Sequence, residues 1–139
     1  MGNLKKVLIV DDYHVVPVLI ANYLDRSGFA TRTASNGLEA LEKFQLEEPE
    51  LLIADTNLPD MNGFELTRRV RAISNIPIVI MSAGSGYMGD DKDAAIDSGA
   101  DVFLMKPFDL VDLLDEIKGL LARTQPGVAC REVANIGKS

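Results

Sequence analysis

Five polar residues stand where short apolar runs of this chain end: Asp11 and Asp12 after Lys6 to Val10, Asp55 closing Leu51 to Asp55, Ser82 closing Ile78 to Ser82, and Lys106 after Val102 to Met105. Three carboxylates, a hydroxyl and an amine can together hold a cation and handle an anion. Two carboxylates about 5 Å apart repel by roughly 3 kcal/mol at an effective dielectric of about 20, so three share a pocket only with positive charge beside them. Lys106 supplies one such charge. The remaining deficit suits a hard divalent cation, and Mg2+ takes a couple of carboxylates, a carbonyl and retained waters. Taken singly, each residue has an ordinary use: an Asp after a strand caps a helix, a serine bonds a loop, and a lysine is solvated. Their joint placement at four strand ends is what points to a site.

Such convergence requires a fold that gathers strand ends. Short β-rich apolar runs alternate here with segments of helical period, the pattern of βαβ units around a parallel sheet. The strands are predicted at Lys6 to Val10, Ala30 to Ala34, Leu51 to Asp55, Ile78 to Ser82 and Val102 to Met105. The first, third and fourth are apolar nearly throughout, as strands covered by helices on both faces must be. The second, with Thr31, Arg32 and Thr33, reads as an edge. In a doubly wound α/β sheet of this kind the chemistry gathers outside the carboxyl ends of the strands, where strand order reverses.

Helices are predicted between them. His14 to Ser27 carries Val15, Val18, Leu19, Asn22 and Tyr23 at helical spacing, with Pro17 in its first turn and Ser27-Gly28 as its stop. Asn36-Gly37 opens a second helix through Phe44, followed by Gly63 to Ala72, Asp90 to Ser98, and Asp109 to Arg123 with Asp109 as N-cap. Residues 124–139 include Pro126-Gly127, lack an amphipathic period and read as a tail or the start of a linker after one domain over residues 5–123.

Composition narrows the function classes. At 139 residues and 47% hydrophobic, the chain fits one compact domain. Its apolar runs are strand-sized, far short of the ~20 residues that span a bilayer, and no signal-peptide core precedes Asp11, so a cytoplasmic protein is expected. The single cysteine, Cys130, forms neither an internal disulfide nor a zinc site. A net charge of -7 without a dense Lys/Arg stretch lacks the footprint of a nucleic-acid binder.

With these stretches in view, the sequence resembles a response-regulator receiver domain over roughly Lys5 to Arg123. The resemblance rests on Val-Leu-Ile-Val-Asp-Asp at 7 to 12, Asp55-Thr-Asn-Leu-Pro-Asp-Met-Asn-Gly63, Met81-Ser-Ala83, and Gly99-Ala-Asp-Val-Phe-Leu-Met-Lys-Pro-Phe108. It implies a five-stranded parallel sheet of flavodoxin-like order 2-1-3-4-5 with helices on both faces. It also implies Asp55 as phosphoacceptor, Mg2+ held by Asp12, Asp55 and the Asn57 backbone carbonyl, and Asp11 helping through water. Ser82 and Lys106 would grip the phosphoryl oxygens, Phe103 would be the switch aromatic, and the Lys106-Pro107 bond would be cis. The family's phosphodonors are a histidine kinase or phosphotransfer protein. Its output runs through a protein partner on the face of helix four, strand five and helix five, and it catalyses only its own phosphorylation and dephosphorylation. On phosphorylation Ser82 would move inward and Phe103 would turn in behind it.

Other signals point elsewhere and are weaker. Gly84-Ser-Gly86-Tyr-Met-Gly89 matches a dinucleotide fingerprint by pattern, but it follows the fourth strand and borders an acidic pocket that repels a pyrophosphate. It reads instead as a glycine-loosened loop, so the segment from Ala83 to Asp90 is expected to be mobile. An FMN module of the same fold wants a hydroxyl-rich loop after the first strand, where Asp11-Asp12 stands. An aspartyl phosphatase of the haloacid type needs a second Asp where Asn57 stands. His14, the single histidine, reads as a residue at the start of its helix. Val102 and Glu116 occupy positions where receivers that pair through the fourth and fifth helices carry an acid and an arginine, so a monomer is expected. A free-standing receiver and the receiver segment of a longer regulator or hybrid kinase both remain open.

Overall fold

The computed structural model describes residues 4–13, 15–83, 88–122 and 131–133. Its strands are β1 (Lys6–Val10), β2 (Ala30–Ala34), β3 (Leu51–Asp55), β4 (Ile78–Ser82), β5 (Val102–Met105) and β6 (Arg131–Val133). Its helices are α1 (Val15–Arg26), α2 (Gly37–Glu47), α3 (Gly63–Arg71), α4 (Met88–Ser98) and α5 (Leu110–Ala122). All strand pairs are parallel, in the order β2-β1-β3-β4-β5-β6. The predicted five-stranded order 2-1-3-4-5 is therefore present, with one strand more. β6 lies within the stretch read as a tail. Three residues are too few for period-2 alternation to show in a sequence.

Successive strand residues point to opposite faces, and each face has its own core. Val7, Ile9, Leu51, Ile53, Val79, Met81, Val102 and Leu104 pack with Ile20 and Leu24 of α1 and with Leu113, Ile117 and Leu120 of α5. The alternate residues Leu8, Val10, Leu52, Ala54, Ile78, Ile80 and Phe103 pack with Ala40 of α2, Leu66 and Val70 of α3 and Ala95 of α4. Burial on both sides explains why β1, β3 and β4 are apolar almost throughout. β2 leaves Arg32 and Thr33 exposed, as an edge strand does.

Helix ends are set by local chemistry. Asn36 and Asn62 cap α2 and α3, their side chains accepting from the Glu39 and Glu65 N–H groups at 2.7 and 2.8 Å. The Asp109 carbonyl accepts from the Leu113 N–H as α5 begins. Gly28, at φ 98°, takes the left-handed conformation that ends α1 as Ser27-Gly28 predicts. α2 runs one turn past Phe44 and stops at Glu48, whose φ is 51°.

One expected face differs. Val15, Val18 and Leu19 are exposed, whereas Pro17, Ile20 and Leu24 form the buried stripe of α1. The helix is apolar on most sides over Val15 to Ala21, so periodicity alone does not select the inward face. His14, Cys130, residues 84–87 of the expected glycine loop and most of residues 123–139 lie outside the described residues, and the last part of that loop is instead the start of α4, which begins at Met88 rather than at Asp90.

Candidate functional site

The sheet order reverses at β1, because β2 lies on one side of it and β3 on the other. The crevice at the carboxyl ends of β1 and β3 is the position where this architecture places ligands. Asp11 follows β1 directly and Asp55 is the last residue of β3, so the sheet delivers both carboxylates to that crevice. Ligand oxygens of Asp11, Asp12 and Asp55 all lie within 4.8 Å of one another. Asp11 and Asp55 are buried while Asp12 is exposed, which leaves the cluster open on one side.

Lys106 closes it. Its Nζ donates to Asp55 Oδ1 at 2.7 Å and to Asp11 Oδ2 at 3.2 Å. The backbone brings it there, since β5 pairs with β4, the Lys106 N–H donates to the Ser82 carbonyl at 2.7 Å, and the following Lys106-Pro107 bond is cis, as the resemblance implied. Burial pushes the Asp11 carboxyl up from its ordinary range, and the Asp55 charge adds to that against the bonds from the Tyr13 N–H and Lys106. Burial alone would lower the Lys106 amine, but the bond and charge of Asp55, with Asp11 behind it, outweigh it and hold the amine above its ordinary value. Three carboxylates thus face one ammonium. The donor set is all oxygen and carries excess negative charge, which fits Mg2+.

The rest of the Asp55 loop is fixed from below. Asp55 Oδ2 accepts from the Asn57 N–H at 3.0 Å, and the Thr56 N–H donates to the Met81 carbonyl. The Gly63 N–H donates to the Thr56 carbonyl at 2.9 Å, seating the start of α3 against the end of β3. A Cβ on Gly63 would collide with the Asp55 backbone carbonyl oxygen, so the motif's glycine is required by this close approach. Asp60 spans to the neighbouring helix, accepting from the Gly37 and Leu38 N–H groups at 2.8 Å each.

Ser82 ends β4 and is almost fully buried. Its hydroxyl donates to Asp91 Oδ2 at 2.8 Å. Thr56, Asn57, Ser82, Ala83 and Asp91 line one open cleft of about 230 Å3. The sequence reading missed Asp91 and Thr56. Asp91 offered one weak signal, an acid in the first turn of a helix. Phe103 departs from the expected starting position: it is already fully buried in the core beneath α3 and α4, so an inward turn has no outward beginning in this structure.

Comparison with known proteins bears on these residues as a group. The sequence model described as the response regulator receiver domain matches residues 7–118. The chain is similar to the response regulator MprA of Mycobacterium leprae, at 35% identity over 130 residues that make up 93% of this chain and 56% of that protein. It is also similar to a CpxR homolog of Haemophilus influenzae, at 37% identity over 87% of this chain and 52% of that one. The chain therefore spans about half the length of these curated relatives. Among solved structures, the chemotaxis response regulator CheY4 of Vibrio cholerae superposes with a TM-score of 0.77 at 31% identity, covering 85% of this chain and 99% of that one. A two-component response regulator from Clostridium difficile superposes with a TM-score of 0.82 at 27% identity, covering 87% of this chain and 98% of that one.

Proposed function

The chain belongs to the response regulator receiver domain family, and on that premise we propose that it accepts a phosphoryl group on Asp55 in a Mg2+-dependent reaction. The observation that carries the proposal is the company of Asp55: the Lys106 ammonium at 2.7 Å, with Asp11 and Asp12 oxygens within 4.8 Å, at the switch point of the sheet. Asp12, Asp55 and the Asn57 backbone carbonyl would hold the metal directly and Asp11 through water. Bound there, Mg2+ neutralises charge on the phosphoryl oxygens.

The chain's own residues do the rest. The Asp55 carboxylate attacks phosphorus in line, an O–P bond forms, and the bond to the donor's nitrogen or oxygen breaks. Lys106 shields the nucleophile from the incoming negative charge and then pairs with the transferred group, while the Ser82 hydroxyl donates to one of its oxygens. Positioning and electrostatics account for the catalysis, and the chain acts only on itself.

The donor in this reading is a phosphohistidine of a kinase or phosphotransfer protein. An open apolar groove lined by Val16, Leu19, Ile20, Pro107 and Phe108 adjoins Lys106 and offers a protein donor purchase beside the reacting carboxylate. The phosphorylated domain acts through α4, β5 and α5 on a partner protein. Borohydride reduction after incubation with acetyl phosphate and Mg2+, followed by peptide mapping, tests the assignment. Homoserine at position 55 is expected, and homoserine only at Asp11 or Asp12 would refute it.

A further inference from the structure

In this state both groups that would grip the phosphoryl oxygens are already engaged by carboxylates. Lys106 is bound by Asp55 and Asp11, which belong to the site itself. Ser82 is bound by Asp91, which stands nine residues further along the chain in the first turn of α4. A serine hydroxyl has one proton, so donating it to Asp91 and donating it to a phosphoryl oxygen exclude one another. Breaking the first bond leaves the Asp91 carboxylate without this donor, in the cleft it shares with Thr56, Asn57 and Ser82 and close to new negative charge. Both consequences push the first turn of α4 away from the site.

We propose that Asp91 is a positioning residue that holds Ser82 in its resting state, so that phosphorylation must break the Ser82–Asp91 bond and thereby shifts the start of α4. The proposal rests on the receiver reading and adds to it the contact that sets how readily the site fires and how the signal leaves it. It also replaces the inward turn of Phe103 as the first moving part, since that ring is already buried.

The test compares wild type, Asp91→Ala, Asp91→Asn, Ser82→Ala and the Ser82→Ala/Asp91→Ala double variant. Labelling by acetyl phosphate with Mg2+ should rise about threefold to tenfold in Asp91→Ala, the size expected for the net loss of one competing hydrogen bond. Asp91→Asn keeps a neutral acceptor and should fall between. Ser82→Ala should slow labelling, and in that background removal of Asp91 should change nothing, whereas a carboxylate that merely caps the helix would leave labelling rates untouched. Amide exchange at residues 92–95 without any phosphodonor should quicken equally in Asp91→Ala, Ser82→Ala and the double variant. That second readout needs no phosphoryl group, so a wild-type protein that takes no label would sink the phosphoacceptor proposal while exchange still decides the Ser82–Asp91 contact. Wild-type labelling rates in Asp91→Ala, or additive exchange effects in the double variant, would overturn the proposal.

Discussion

The Lys106 ammonium bonds Asp55 Oδ1 at 2.7 Å and so ties the loop after β5 to the end of the central strand. This one cation is what lets three carboxylates share the crevice. Lys106→Met should lower the stability of the metal-free protein by about 1–3 kcal/mol, less than a fully buried broken pair would cost because the amine keeps some contact with water. Mg2+ should restore a larger share of stability in the variant than in wild type, and thermal melts with and without Mg2+ measure both effects. Because the amine's pKa is raised, the stabilisation it gives is full below its ordinary value of 10.5 and fades only as the pH climbs through the raised value. Some phosphorylation should survive in Lys106→Met, with a blunted response in α4.

Gly63→Ala tests the close approach of α3 to β3. The added methyl meets backbone rather than a flexible side chain, so relief requires moving either the helix or Asp55. A loss of about 1–3 kcal/mol in urea unfolding is expected, together with slower labelling of whatever protein remains folded. Wild-type stability would show that the helix end can shift freely.

Asp60 offers a pH test away from the acidic cluster. Slight burial would raise its carboxyl, but the Gly37 and Leu38 N–H groups outweigh it and hold the carboxyl below its ordinary 3.8. A depressed carboxylate contributes stability above its unfolded pKa and loses it as the pH falls through the folded value. Asp60→Asn should therefore be less stable than wild type at pH 7, by about 0.5 kcal/mol given solvent screening. The gap should close below pH 3.8. A gap that does not shrink as the pH falls below 3.8 would contradict the charge-based account.

The strands and the charged cluster were legible in the sequence because each depends on local pattern. Continuous apolar runs fixed β1, β3 and β4, and the residue that follows or closes each run is placed by the sheet itself. What was not legible depends on packing at a distance. The inward face of α1 is chosen by the neighbours of Ile20 and Leu24, and Val15, Val18 and Leu19 are equally apolar. The Ser82–Asp91 bond crosses a nine-residue separation whose spatial span no pattern sets. Burial of Phe103 follows from its place on β5 between α3 and α4, whereas its resemblance to a switch residue suggested an outward start.

The absence of a dimer through α4 and α5 is a further prediction, and it leaves the exposed sides of α4 and α5 for a protein partner. β6 pairs with β5 through Val102↔Arg131, Phe103↔Glu132 and Leu104↔Val133, so the outer edge of β5 is already hydrogen-bonded within the chain. Val102 is fully buried and cannot present a side chain to a second copy. Sedimentation with beryllofluoride and Mg2+ should show a monomer, and a symmetric dimer joined through α4 and α5 would refute this.

The assignment of Asp55 as the nucleophile is tested most directly by intact-mass spectrometry of wild type and Asp55→Asn after incubation with acetyl phosphate. Asp55→Asn keeps the size of the side chain beside Lys106 and should keep the fold, as circular dichroism can verify. The account predicts one hydroxylamine-labile phosphoryl adduct on wild type with Mg2+, none in excess EDTA, and none on Asp55→Asn. An adduct that persists on Asp55→Asn would contradict the nucleophile, and one that forms on wild type in EDTA would contradict the metal.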